Sequence, residues 1–224
     1  MNSFEIYKIL RNHFGEVGSW WPKDRPFEVV IGAILTQQST WTNVEKALKN
    51  LKEANVLTPK DIVELPLEDL KQIVKPSGFF NQKAERLKKI SEYLLVFYGG
   101  DLGLLFTKDK KFLREELLGL KGIGEETADS IILYAAEKTE FVIDAYTKRI
   151  YSRLKIVEEK KSYEDLKKYI INEIPEELIV YQEFHGLIVI LGKNICKKKN
   201  PNCKECPLNS KCNFLITKKD INCP

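Results

Sequence analysis

The sequence predicts an all-α protein, on three observations. Apolar residues recur at helical spacing along nearly the whole chain of 224 residues, convincing period-two alternation is hard to find, and Pro and Gly fall between the periodic stretches. No repeat of about 20–50 residues and no low-complexity linker is visible, so any division into two domains is compact and short-linked.

In chain order, the pattern places helices at about 3–14, 27–38, 42–53, 59–65, 67–74, 81–97, 109–118, 125–136, 145–154, 162–173 and 177–194. Pro66 separates the fourth from the fifth and Pro76 follows the fifth, because proline lacks the backbone donor that a helix interior needs. Gly99-Gly100 ends the long basic helix at 81–97. Two glycines, Gly122 and Gly124, part the helix at 109–118 from that at 125–136. Asp144 stands just before 145–154, and Ser162, with Asp165 three residues on, starts the stretch at 162–173.

Composition gives 43% hydrophobic and 30% charged residues, a globular balance in a chain long enough to build a core without disulfide staples. No apolar run approaches the roughly 18 residues of a membrane span, so a soluble protein is expected. The N-terminal stretch MNSFEIYKILRNHF lacks the pattern of a secretory signal, which points to the cytoplasm. A net charge of +4 is too mild to identify a nucleic-acid partner, since a charge run is ordinarily a solvated face.

The cysteines are placed unevenly. None precedes Cys196, and then Cys196, Cys203, Cys206 and Cys212 follow with spacing Cys-x6-Cys-x2-Cys-x5-Cys, with Cys223 apart near the end. A secreted disulfide framework is rarely so lopsided. Closely spaced thiolates in a reducing compartment form a metal site, and they suit either structural zinc or an iron–sulfur cluster. Zinc ribbons more often pair two Cys-x2-Cys knuckles across a longer gap. Cys223 fits neither pattern and reads as a free thiol.

Leu120-Lys121-Gly122-Ile123-Gly124 lies between two helical patterns. Paired glycines let such a hairpin turn tightly and bring backbone N–H groups, with the next helix N-terminus, against a phosphate. An ordinary helix–helix turn is the plainer reading. Asp144 follows apolar Phe141-Val142-Ile143 and precedes a basic stretch. It reads either as an N-cap or as a carboxylate placed to stabilise positive charge on a sugar.

Together, the glycine turn, Asp144 behind it and the cysteine tail resemble the endonuclease III superfamily of helix-hairpin-helix DNA glycosylases. The match covers most of the chain, and three motifs in order are far more specific than one. The resemblance implies a [4Fe–4S] cluster on Cys196, Cys203, Cys206 and Cys212. It implies a helical barrel at 23–134, with the helix-hairpin-helix at about 113–134, and a second helical domain from 1–22 plus 135–224 carrying the cluster loop 196–212, with DNA between them. The catalytic aspartate falls on Asp144, and Gly122, Gly124, Thr127 and Lys148 fall among the DNA-binding residues. The implied partner is double-stranded DNA with a damaged base, bound by a monomer associated with the nucleoid.

Two departures narrow the activity. Bifunctional members carry a nucleophilic lysine at the position held here by Glu126, which implies a monofunctional glycosylase without lyase activity. The adenine-mismatch branch uses a glutamate where this chain has Ala33. A second set of residues resembles the 3-methyladenine DNA glycosylase branch: Trp20-Trp21-Pro22, Leu35-Thr36-Gln37-Gln38-Ser39-Thr40-Trp41, Lys75-Pro76-Ser77-Gly78-Phe79-Phe80-Asn81-Gln82-Lys83-Ala84, and Phe184-His185-Gly186. Members of that branch can lack the cysteine cluster, so its presence is a departure.

Alkylated purines suit this residue set. A 3-methyladenine or 7-methylguanine base is already cationic and leaves as a neutral molecule, so no general acid is needed at Ala33. Trp20, Trp21 and Trp41 are candidates to stack on the flipped base, with Pro22 as a wall; tryptophans filling the core are the plainer reading. By resemblance, Gln38 fills the gap in the duplex, an exposed helix-end glutamine being the plainer reading, and Lys193 lies near the aspartate, where it reads either as a salt-bridge partner of Asp144 or as an ordinary surface lysine beside the cysteine loop. His185 reads as structural. Lys197, Lys198, Lys199, Lys204 and Lys211, with Lys148 and Arg149, are candidate phosphate contacts. The competing readings are a glycosylase for oxidised pyrimidines or mismatches, a non-catalytic DNA-binding module, and a zinc protein.

Overall fold

The computed structural model describes residues 1–19, 21, 25–158 and 160–214, so Trp20, Pro22 and Cys223 lie outside the described residues. Among these residues the fold is all-helical, with no strand. The helices are α1 (Ser3–Phe14), α2 (Pro26–Thr36), α3 (Trp41–Glu53), α4 (Pro59–Glu64), α5 (Leu67–Val74), α6 (Phe80–Tyr98), α7 (Leu102–Phe106), α8 (Lys110–Gly119), α9 (Glu125–Tyr134), α10 (Ala145–Arg153), α11 (Tyr163–Ile171) and α12 (Leu178–Asn194). They form two compact units, one from Met1–Trp21 with Thr139–Pro224 and one from Pro22–Lys138.

In the second unit α2 is the central helix. Phe27 to Leu35 are all buried, and α2 packs against α3, α6 and α9. Its fully buried Ile31, Ile34 and Leu35 each contribute about 1.5–3 kcal/mol by leaving water. Pro26 at the first helical position costs nothing, because that N–H would be unbonded in any case. The helix stops at Thr36 rather than at residue 38, because Gln37 leaves the helical region with ψ of 116° and Gln38 follows in the left-handed region with φ of 52°. On α6 the stripe Lys83, Leu87, Ile90 and Leu94 faces inward, and a Schellman pair at Gly99 and Gly100 closes the helix on the carbonyls of Leu95 and Leu94. α7 has no counterpart in the expected elements, since five residues are too few to display a helical period.

In the first unit α12 takes the central place, buried from Val180 to Val189 and packed against α1 and α10. α1 begins with a capping box, Asn2 with Glu5, and turns Ile6, Tyr7 and Leu10 inward. The buried carboxylate of Glu183 on α12 accepts from Tyr7 Oη, from Arg11 Nε at 3.1 Å and from the Val17 N–H at 3.1 Å. These bonds tie the N-terminal segment to α12 and leave no lone charge in the core.

Candidate active site and cysteine loop

Asp144 is placed by the segment before it. Phe141, Val142 and Ile143 are buried, the Ile143 N–H donates to Tyr163 Oη at 3.2 Å, and buried Lys167 pairs with Glu140 at 3.3 Å. The chain thus enters α10 in one register. Asp144 is the N-cap: its Oδ1 accepts from the Thr147 N–H and from Thr147 Oγ1, both at 2.7 Å. Oδ2 stands 3.7 Å from Nε2 of His185 on α12, an ion-pair distance for a protonated imidazole. Burial by itself raises the Asp144 carboxyl, but the His185 imidazole beside it and the bonds from Thr147 outweigh it and hold the group below the ordinary aspartate range. The side chain is therefore ionised at neutral pH with only 8% of the residue exposed.

His185 is the partner that the sequence did not give. It meets Asp144 because α10 and α12 approach closely at Gly192, where an added Cβ would stand 2.4 Å from Cδ1 of Tyr146. Residues 185 and 192 are two turns apart and share one face of α12. Lys193 is displaced from that face by one residue. It is exposed in the last turn and, among the described residues, makes no ion pair with Asp144. Trp21 is buried in the first unit and Trp41 opens α3 in the second, half-buried.

The hairpin between α8 and α9 has its own frame. Arg114 on α8 forks onto the fully buried Asp129 on α9, at 2.6 and 3.3 Å. Gly122 has φ of 93°, a conformation that suits glycine, and an added Cβ would stand 2.6 Å from Nε of Arg86 beneath it. The side-chain amide of Gln37 donates to the Gly122 carbonyl at 3.0 Å and to Thr127 Oγ1 at 2.9 Å, while Arg86 donates to its Oε1. Gly124 caps α9 without a side-chain bond, and Glu125 and Glu126 stand in the helix's first turn. Gln38 is exposed, Glu126 is exposed at the start of α9, and Lys148 is exposed on α10. Phe79, 60% exposed with φ of 47°, is a second strained and solvent-facing side chain of this unit.

The loop after α12 draws its four cysteines to a single place. Cys196, Cys203, Cys206 and Cys212 line a common pocket with Ile195 and Phe214. Arg149 donates to the carbonyls of Cys196 and Gly192, both at 2.8 Å, and Arg153 to Cys196 Sγ at 3.2 Å and the Lys197 carbonyl at 2.8 Å. Burial and the neighbouring thiols push the Cys206 thiol up to about 11, a cost that a bound cation would reverse. Among the described residues, no three Cys, His, Asp or Glu side chains gather closely enough to hold a single metal ion. Four thiol donors on one pocket are a set that suits either structural zinc or an iron–sulfur cluster. Lys197, Lys198, Lys199, Lys204 and Lys211 are all exposed around this loop.

Comparison with known proteins agrees with this geometry. The chain is 43% identical over 210 residues to a provisionally named DNA repair glycosylase of Methanocaldococcus jannaschii, covering 93% of this chain and 94% of that protein. An endonuclease III–DNA complex superposes with a TM-score of 0.84 at 25% identity over 98% of this chain and 99% of that one. The 3-methyladenine DNA glycosylase of Helicobacter pylori, bound to 1,N6-ethenoadenine, superposes with a TM-score of 0.75 at 33% identity over 86% of this chain and 98% of that one. Residues 31–176 match the HhH-GPD superfamily of base excision DNA repair proteins, and the chain belongs to that family.

Proposed function

We propose that the protein is a monofunctional DNA N-glycosylase that flips alkylated purines of the 3-methyladenine and 7-methylguanine type out of duplex DNA and hydrolyses them, leaving an abasic site. The observation that carries this reading is the pairing of an ionised, buried Asp144 with a glutamate, Glu126, where a nucleophilic amine would stand. The Helicobacter relative supports the substrate class.

The hairpin N–H groups at Gly124 and the first turn of α9, with Lys148, hold phosphate, and Gln38 fills the space of the extruded base. As the bond between the base and C1′ breaks, its electron pair leaves with the cationic base and neutralises it. Asp144 faces the developing positive charge on the sugar, where a fixed anion of low exposure acts most strongly. Water adds to C1′ and releases one proton to solvent. Cys196, Cys203, Cys206 and Cys212 would hold a [4Fe–4S] cluster, which supplies a rigid scaffold for the basic loop. The protein acts as a monomer on double-stranded DNA.

The test is base release from methylated duplex DNA, with borohydride added to parallel samples. Wild-type protein is expected to free methylated purines and to form no trapped protein–DNA adduct, whereas Glu126→Lys gains a trapped imine with abasic-site DNA. A wild-type adduct would overturn the monofunctional reading; release of oxidised pyrimidines in place of methylated purines would overturn the substrate. Protein purified without oxygen is expected to be brown and to contain about four irons per chain, with the colour lost in Cys203→Ser. A colourless zinc protein would remove the cluster.

A further inference from the structure

The side chains that touch the hairpin from below also end next to the residue read as probing the duplex. Gln37 is the neighbour of exposed Gln38, and its amide reaches the hairpin through Gly122 and Thr127. The 122–123 peptide is satisfied at both ends, its carbonyl by Gln37 and its N–H by the Leu120 carbonyl at 3.0 Å. Arg86 from α6 packs under Gly122 and binds the remaining oxygen of Gln37. The end of α2, the start of α6 and the turn between α8 and α9 therefore meet on one half-buried amide.

We propose that Gln37 and Arg86 are positioning residues that couple the phosphate-holding hairpin to Gln38, so that grip on the backbone fixes the register in which Gln38 enters the duplex. The inference rests on the DNA roles given to the hairpin and Gln38, and it does not depend on which base is removed. The amide chemistry is specific: Gln37 must donate to one partner and accept from another, which neither glutamate nor leucine can do at this place. With the amide in place, a shift of the hairpin carbonyl moves the end of α2. Without it the two DNA contacts act separately.

Gln37→Glu separates this role from simple packing. It keeps the shape and strengthens the contact with Arg86, but it cannot donate to the Gly122 carbonyl. Binding is measured on an undamaged duplex and on one with a tetrahydrofuran abasic analogue opposite 2-aminopurine, whose fluorescence reports insertion. The wild type is expected to prefer the abasic duplex and to brighten the probe. In Gln37→Glu that preference falls about ten-fold, the size of one lost buried hydrogen bond, with the helical fold retained by circular dichroism. Gln38→Ala then has little further effect in the Gln37→Glu background, a non-additivity that independent contacts do not show. Arg86→Lys, which keeps the charge and loses the fork, is expected to give the same pattern at smaller size. Equal weakening on both duplexes, additive effects with Gln38→Ala, or unchanged preference would each overturn the coupling. Failure to release alkylated purines with this pattern intact would overturn the proposed substrate and leave the coupling standing.

Discussion

Asp144→Asn is expected to slow base release by about 10²- to 10³-fold, the loss found when one preorganised electrostatic group is removed from a transition state. The substitution is chosen because Asp144 does two things with two oxygens. Oδ1 caps α10 through Thr147, and an asparagine keeps that oxygen and caps about as well. What is lost is the charge, which stands 3.7 Å from His185 and, in the proposed mechanism, faces the sugar. Affinity for undamaged DNA should therefore change little while single-turnover release collapses. Asp144→Ala is the contrasting case, since it also removes the cap and costs about 0.5–2 kcal/mol of stability. The titration gives an independent mark. Because the folded carboxyl lies below its unfolded value, its contribution to stability is present above the ordinary aspartate range near 3.9 and is lost as pH falls through the folded value. The Asn variant should lack that part of the acid-side loss. Release within a few-fold of wild type would reduce Asp144 to a cap.

The legible parts of this protein are those written locally along the chain. Helical periodicity places the long elements within a few residues, because α3, α6 and α12 are long enough for their buried faces to repeat. The cysteine spacing and the glycine turn are also local, and both ends of the argument about Asp144 were available, the cap and the carboxylate. What spacing does not encode is which distant side chain arrives. Lys83 reaches the Leu35 carbonyl across 48 positions, Arg86 reaches Gln37 across 49 and Gln37 reaches Gly122 across 85. His185 and Lys193 illustrate the consequence. Both follow on the same helix, but only the helix rotation relative to α10, set by Gly192 against Tyr146, decides which of them faces Asp144. A signal did exist that two of these residues would be bonded. Lys83 falls on the inward stripe with Leu87, Ile90 and Leu94, and His185 falls in the apolar run of α12. An ionisable group on a core-facing position is uncommon unless it is bonded.

Lys83→Met is expected to destabilise the folded protein by about 2–4 kcal/mol, each of two buried carbonyls losing its donor. Lys83 is 1% exposed, and its Nζ donates to the Leu35 carbonyl at 2.8 Å and to the Ser77 carbonyl at 2.7 Å. It thus closes the last turn of the central helix α2 and the short turn that leads to α6. Methionine fills the stem's volume, so the loss reports the ammonium head rather than a cavity. For a chain of this size the thermal midpoint should drop by roughly 5–15 °C, read by helical circular dichroism. Burial first, and Arg86 second, lower the Lys83 value from 10.5 to about 8. Between about pH 8 and the unfolded value near 10.4, the unfolded chain holds a proton that the folded one has released, so this group makes stability rise with pH. A neutral amine still has two N–H donors for two carbonyls, and the proton given up is the one without a role in those bonds. The wild-type protein minus Lys83→Met should accordingly show a stability difference that grows across that interval. A difference that is flat with pH, or a variant as stable as wild type, would mean that Lys83 is held by something other than these two bonds.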